Sequence, residues 1–188
     1  MTNRNGNTTT LVMTALITAL VLICTLILRI PCGPDCYIHL GDAVIFLGAM
    51  MLPRRNACFA AAVGASLADL IGGFAFWAPW TFFVKLIMTL AFGAFIDHII
   101  KSDRNGKEIK KTGGIPNAEY YGLIVSCIIA VFGYFISEVI LFGQWIGALA
   151  CVGFNTIQVV VCAIVAILVS RSLYRSSLCE TAYYHRPR

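Results

Sequence analysis

The sequence predicts an all-α integral membrane protein with six transmembrane helices and both termini in the cytoplasm. Of its 188 residues, 59% are hydrophobic and only 12% are charged, about half the charged fraction of a typical soluble domain. The apolar residues are also continuous, because neither Leu11–Leu28 nor Trp145–Ser170 contains a charge. A chain with so little polar surface is expected to lie in lipid, as a single membrane domain over residues 1–188.

Hydropathy, with Gly, Pro and charges as boundaries, divides the chain into six apolar segments. In chain order they cover residues 10–29, 40–53, 57–75, 80–100, 119–142 and 145–171. The first should remain in the mature protein, because no A-x-A-like cleavage site follows Leu28. The second is short, and it spans a bilayer only if it is tilted or entered from a recessed loop. Polar, Gly-rich residues 101–118 predict a cytoplasmic loop.

Basic residues predict the orientation of these segments. With the N-terminus inside the cell, every Lys and Arg except Arg29 and Lys85 falls on the cytoplasmic side, as the positive-inside rule requires. Arg29 falls outside, and Lys85 lies within the fourth segment. This arrangement accounts for the net charge of +5 without a nucleic-acid partner.

Four ionisable side chains interrupt the predicted spans, at Asp42, Asp69, Lys85 and Glu138. Counting about 1.5 Å per helical residue from the expected outer ends puts all four in the outer third of the membrane. Charges inside a membrane usually face a cavity and mark a binding path. They therefore predict a polar pocket that opens to the exterior. Interhelical ion pairs that only lock the bundle are the alternative interpretation.

Aromatic and amide side chains at or below the same level complete the candidate site. Aromatic walls with a few hydrogen-bonding groups are suited to a small heterocycle, although interfacial belts also contain such rings. The candidate substrate-binding residues are Tyr37, His39, Asp42, Asp69, Trp77, Trp80, Lys85, Glu138, Asn155 and Gln158.

The stretch CGPDCYIHLGD, residues 32–42, combines residue types that bind metals. A structural zinc site takes four ligands, usually from two separate pairs, and no second Cys pair lies on the outer side, so no metal is expected. A catalytic dithiol is usually C-x-x-C, whereas Gly-Pro-Asp separates Cys32 from Cys36. A loop disulfide and two unlinked thiols both remain open. The cysteines expected to act as small hydrophobes in apolar runs are Cys24, Cys58, Cys127, Cys151 and Cys162.

Two longer stretches carry a family resemblance. They read YIHLGDAVIFLGAMML, residues 37–52, and GASLADLIGGFAFWAPWTFFVKLIMTLAFG, residues 64–93. Together they resemble the substrate-binding S components of energy-coupling factor (ECF) vitamin transporters, of the riboflavin and hydroxymethylpyrimidine/pyridoxine type. The combination of H-L-G-D, A-D-L-x-G-G and P-x-T-x-x-x-K is specific, whereas each motif alone is common.

The resemblance implies a substrate-binding subunit of a prokaryotic plasma membrane that is not an enzyme and has no cofactor. It would capture a vitamin outside, with residues 30–40 as a loop over the site, and work with a membrane-embedded T component and two cytoplasmic ATPases. The chain has no G-x-x-x-x-G-K-[ST] loop that would bind ATP. Mixed charge beside aromatic rings favours hydroxymethylpyrimidine or pyridoxine as the ligand, with riboflavin next.

The resemblance also implies a docking face on the first span. Ala15 and Ala19 match the A-x-x-x-A pattern on which S components contact the T component. Small residues four apart lie on one helix face and let another helix come close.

Two hypotheses from other classes stay open. One is a membrane thiol oxidoreductase that uses Cys32 and Cys36 with a quinone. The other is a stand-alone secondary carrier, driven by an ion coupled to Asp42, Asp69 or Glu138.

Overall fold

The computed structural model describes residues 2–31, 37–104 and 117–175. They form six α-helices, which confirms the all-α prediction: α1 (Thr2–Ile27), α2 (Gly41–Met51), α3 (Arg54–Ile71), α4 (Ala78–Arg104), α5 (Asn117–Phe142) and α6 (Trp145–Arg175). Between α1 and α2 lie two strands that the sequence did not predict. These strands, β1 (Ile30–Pro31) and β2 (Tyr37–Ile38), pair antiparallel.

Proline and glycine set the tight connections between helices. Leu52 has φ −97° and ψ 154°, the extended conformation that a following proline favours, so α2 ends at Met51. Helix α3 then starts at Arg54, three residues before the predicted start of the third segment at residue 57, so that Arg54 and Arg55 lie in its first turn. Between α5 and α6, Gly143 has φ +65°, a left-handed conformation that glycine adopts without the steric cost of a Cβ.

Four helices in the described part of the chain are long and apolar enough to cross a membrane, over Thr8–Ile27, Ala78–Ile99, Glu119–Phe142 and Trp145–Ser172. Helix α2 has 11 residues and is therefore about 16 Å long, half of the roughly 30 Å hydrocarbon core. Helix α3 has 18 residues, but three of them are Arg54, Arg55 and Asp69. By length and composition, α2 and α3 do not qualify as membrane-crossing helices. The prediction of six spans is therefore not confirmed.

Helix α2 lies inside the bundle, where it contacts α1, α3, α4 and α6. Nine of its 11 residues are buried, so its apolar character serves packing between helices and not contact with lipid. Close approach to α1 depends on Gly48, where an added Cβ would lie 2.7 Å from Ile17 Cγ2. Phe46 extends the core to α4, because its ring meets that of Phe92 edge-on at 5.3 Å.

The outer faces of the long helices expose large apolar side chains. Examples are Phe132 on α5 and Ile164 on α6, which are 62% and 51% exposed. Side chains of this size are rarely exposed in such number on a soluble protein, and lipid is the solvent that suits them.

The described cysteines differ from the prediction at one position. Cys24, Cys127 and Cys162 are free thiols, of which Cys162 is buried and the other two are half-buried, and Cys58 is also buried. Cys151, expected to act as a small hydrophobe, is disulfide-bonded.

Candidate functional site

A polar cavity of about 40 Å³ lies where β2 and the α3–α4 connection meet α4, α5 and α6. Its lining residues are Tyr37, His39, Trp77, Thr81, Tyr134, Glu138, Asn155 and Gln158. Six of these eight belong to the set predicted from the sequence. The other predicted residues, Asp42, Asp69, Trp80 and Lys85, lie outside the lining.

Helical spacing explains how the cavity is built. Each of three helical segments presents two lining residues one turn apart: Trp77 and Thr81, Tyr134 and Glu138, Asn155 and Gln158. Residues three or four apart share a helix face. Thr81 and Tyr134 were missed because neither is charged or an indole. Their position one turn before Lys85 and Glu138 is the signal that points to them.

A buried ion pair lies behind the lining and joins α2 to α4. Lys85 Nζ is 2.6 Å from Asp42 Oδ1, and both side chains are fully buried. The ammonium also lies 4.9 Å from the centre of the Tyr134 ring. Asp42 and Lys85 therefore form an interhelical ion pair, which was the alternative to their lining a polar pocket. Breaking one half of such a pair is costly, since it leaves a buried charge without a partner.

Gln158 ties the ion pair to the cavity wall. Its Nε2 donates to Asp42 Oδ2 at 3.0 Å, while its Oε1 accepts from the His39 backbone N–H at 3.2 Å. Both ends of the amide are therefore used. Helix α6 is held in this way to α2 and to the residue that follows β2.

His39 lies in the connection before α2 and is held as a neutral imidazole. Its Nδ1 accepts from the Gly41 N–H at 3.1 Å, so the proton of the neutral ring is on Nε2. Burial lowers the pKa of His39 to about 4, against the raising effect of the Asp42 carboxylate. Gly41 is required here, because a Cβ on it would overlap Thr25 Oγ1 and lie 3.0 Å from His39 Nδ1.

We expect His39 to make the protein less stable as the pH falls from 6.5 towards 4. In that window the unfolded state binds a proton on His39, whose ordinary pKa is 6.5, while the folded state does not. The loss is about 1.4 kcal/mol for each pH unit. Thermal unfolding of the purified protein between pH 7.5 and 4.5 should show a flatter dependence in His39→Gln. Equal slopes in the variant and the parent would contradict the prediction.

Tyr37 forms another wall of the cavity and is fixed through its hydroxyl. The hydroxyl donates to Asp69 Oδ1. Burial, together with the Asp69 carboxylate, raises the pKa of Tyr37 above its ordinary value, so that the group stays a donor. Asp69 therefore acts on the cavity through Tyr37, because it does not itself line the cavity.

The lining also holds buried polar atoms that no other described group satisfies. Trp77 Nε1 is a donor without an acceptor, and Glu138 Oε2 is an acceptor without a donor. The other carboxylate oxygen of Glu138 is 3.5 Å from Asn155 Nδ2. Buried polar groups are nearly always hydrogen-bonded, so these two atoms are suited to a ligand that offers one acceptor and one donor.

Aromatic rings and unpaired polar atoms thus surround one cavity in a membrane bundle. Residues 5–175 of the chain match the family described as ECF-type riboflavin transporter, S component. The chain belongs to this family. It is accordingly a multi-pass membrane protein and the substrate-binding component of a vitamin transporter, not an enzyme. The match confirms the resemblance drawn from residues 37–52 and 64–93, and extends it over α5 and α6.

No curated protein matches this S component. Cys32 and Cys36, on which the oxidoreductase hypothesis rested, lie outside the described residues. That hypothesis has no support from the family match, which is to transporters. Ala15 and Ala19 of α1 are both exposed, on the same face as Leu16 and Leu20.

Proposed function

We propose that this S component binds riboflavin in the polar cavity and hands it to partner subunits for ATP-driven uptake. Two buried atoms in the lining carry the proposal. Trp77 Nε1 and Glu138 Oε2 lie among aromatic rings and have no hydrogen-bond partner in the described residues. The family to which the chain belongs is described by riboflavin transport, which favours this vitamin over others with an aromatic ring.

Riboflavin complements this set of groups. The pyrimidinedione edge of its ring system alternates carbonyl acceptors with an imide N–H. A carbonyl would accept from the Trp77 indole, and the imide N–H would donate to the Glu138 carboxylate. Tyr37, Tyr134 and Trp77 supply rings for stacking or edge contacts.

Hydroxymethylpyrimidine or pyridoxine is the second candidate, and the volume of the cavity favours it. A cavity of about 40 Å³ holds only a few water molecules, so any ring must move part of the lining to enter. A single six-membered ring would require a smaller movement than the three fused rings of riboflavin.

A competition experiment separates the two candidates. The purified protein is titrated with riboflavin, whose fluorescence should be quenched on contact with the aromatic lining, and the complex is then challenged with a hundredfold excess of pyridoxine or hydroxymethylpyrimidine. We expect saturable quenching that neither competitor reverses. Absence of quenching, together with a smaller vitamin retained in native mass spectrometry, would replace riboflavin by that vitamin.

The arrangement in the membrane is part of the proposal. We infer six segments embedded in a prokaryotic plasma membrane, with both termini inside and the cavity near the outer surface. The ion pair between Arg54 and Asp97 then lies at the cytoplasmic end, at 3.5 Å, and Arg29 lies at the opposite end beside Gly72. The six-helix bundle and the burial of α2 support this arrangement.

We also propose that α1 docks on a T component, which works with two cytoplasmic ATPases. Ala15 and Ala19 are exposed at the centre of an apolar face of α1. The larger apolar side chains of that face are Leu11, Val12, Leu16, Leu20, Ile23 and Ile27. Two small residues inside such a face allow close helix packing.

Replacing both alanines by leucine should therefore reduce co-purification with the T component and the ATPases by tenfold or more. Riboflavin binding to the isolated subunit should not change. Ala150→Leu, on the exposed face of α6, is the matched control and should co-purify like the parent. Transport in proteoliposomes that contain this chain alone would instead support a stand-alone carrier.

A further inference from the structure

Arg29 follows the end of α1 and lies over two aromatic rings from separate connections. Its guanidinium carbon is 3.9 Å from the centre of the Tyr37 ring and 4.9 Å from that of Phe74. The two rings are themselves 5.1 Å apart. The Arg29 side chain thus joins β2 to the α3–α4 connection.

Few other polar contacts hold this guanidinium. Nη1 donates to the Gly72 carbonyl oxygen at 3.4 Å, while Nε and Nη2 are buried without a hydrogen-bond partner among the described residues. Gly72 is closely packed against Arg29, since a Cβ on Gly72 would lie 2.6 Å from Nη1 and 2.7 Å from Nη2. Stacking on the two rings is therefore its main direct contact, while the Asp69 carboxylate adds an electrostatic attraction without an ion pair in the described residues.

Tyr37 is the cavity wall with the weakest backbone support. The helical walls belong to α4, α5 and α6, which pack along their lengths. In the described part of the chain, β2 is a two-residue strand that pairs with β1 and contacts α6. A ring larger than the cavity volume can enter or leave most readily if Tyr37 moves. Arg29 does not line the cavity, so it acts on a ligand through Tyr37.

We propose that Arg29 is a positioning residue that clamps Tyr37 against Phe74 and thereby sets the rate at which a bound vitamin leaves. The inference rests on the proposed function of the cavity as the vitamin site. Arg29 would thus affect the binding kinetics although it does not line the cavity.

The test compares Arg29→Gln with Arg29→Lys. Glutamine can still donate to the Gly72 carbonyl but has no cation to stack, and lysine keeps the charge without the planar group. Stopped-flow fluorescence with riboflavin should show about tenfold faster dissociation for Arg29→Gln and a smaller increase for Arg29→Lys. Because riboflavin is uncharged, the change in protein charge should not alter its long-range encounter with the site.

Hydrogen exchange of the ligand-free protein provides a second measurement. In Arg29→Gln, the backbone amides of residues 37–40 and 72–77 should exchange several times faster than in the parent. Arg171→Gln is the matched control, since Arg171 also contacts a tyrosine, with Nη2 2.5 Å from the Tyr120 hydroxyl, but lies away from the cavity. It should leave both measurements unchanged.

The outcomes distinguish a failure of the Arg29 clamp from a failure of riboflavin as the proposed ligand. A lower melting temperature of Arg29→Gln with unchanged dissociation and unchanged exchange would overturn the inference, because Arg29 would then be structural only. If the parent protein does not bind riboflavin, the proposed ligand is wrong and the exchange experiment decides on the clamp alone. Faster exchange at residues 37–40 would then support it, and unchanged exchange would refute it.

Discussion

Lys85→Met should lower the free energy of unfolding by about 3–5 kcal/mol, because it leaves the Asp42 carboxylate buried without its cation. The two groups are 2.6 Å apart and fully buried, so water cannot replace the lost partner. Methionine matches the apolar stem of lysine, which keeps the loss of packing small. Thermal unfolding in detergent measures the effect as a lower melting temperature, accompanied by a lower yield of folded protein.

Two further variants identify the cause of that loss. Adding Asp42→Asn to Lys85→Met removes the uncompensated charge and retains an oxygen that can accept from Gln158 Nε2, so most of the stability should return. Arg54→Gln breaks the ion pair with Asp97, which also joins two helices but is 44% and 31% exposed at its two side chains. Exposed pairs contribute less than about 1 kcal/mol. Equal losses in Lys85→Met and Arg54→Gln would contradict the interpretation.

Glu138→Gln should weaken riboflavin binding by about 10- to 100-fold. The Glu138 side chain is 5% exposed, lines the cavity and has an unpaired Oε2. A hydrogen bond to a charged group is worth about 1.5–3 kcal/mol, which corresponds to this range of affinity. Glutamine keeps the size of the side chain but removes its charge. Fluorescence titration gives the dissociation constant directly.

Glu119 provides a matched control on the same helix. Its side chain is fully buried and both carboxylate oxygens have no hydrogen-bond partner in the described part of the chain. It lies at the other end of α5 and does not line the cavity. Glu119→Gln should therefore bind riboflavin like the parent. Similar affinities for Glu138→Gln and the parent would remove Glu138 from the proposed site.

Much of the site could be predicted because burial of a polar group in an apolar chain is visible in the sequence. Counting residues along each span put Glu138 in the outer third of the membrane and Asn155 and Gln158 somewhat deeper, and the structure has all three in one lining. The count gives depth along a helix but not the direction of the side chain. Asp42 and Lys85 were expected at the level of the pocket, yet they point at each other behind the wall.

Other features depend on contacts that hydropathy does not encode. Thr81 and Tyr134 are neither charged nor strongly apolar, so only their helical spacing from Lys85 and Glu138 identifies them. From the sequence, Arg29 was only an exception to the distribution of positive charge. Its contact with Phe74 joins two connections 45 positions apart in the chain, and such a contact follows from tertiary packing alone.

The second predicted span has a related explanation. Hydropathy treats every apolar run as lipid-facing, whereas α2 is surrounded by α1, α3, α4 and α6. An 11-residue helix is apolar here because it is core. Its length was noted as short, but its central position requires knowledge of the neighbouring helices.

The central position of α2 has a consequence for biogenesis. A segment this short is a poor substrate for insertion on its own, so it has to reach its place as part of a larger unit during assembly. Substitutions in α2 would then act first on the amount of protein that survives quality control. A mutational scan scored by uptake alone would rank them with cavity residues, and measuring the abundance of each variant in the membrane separates the two groups.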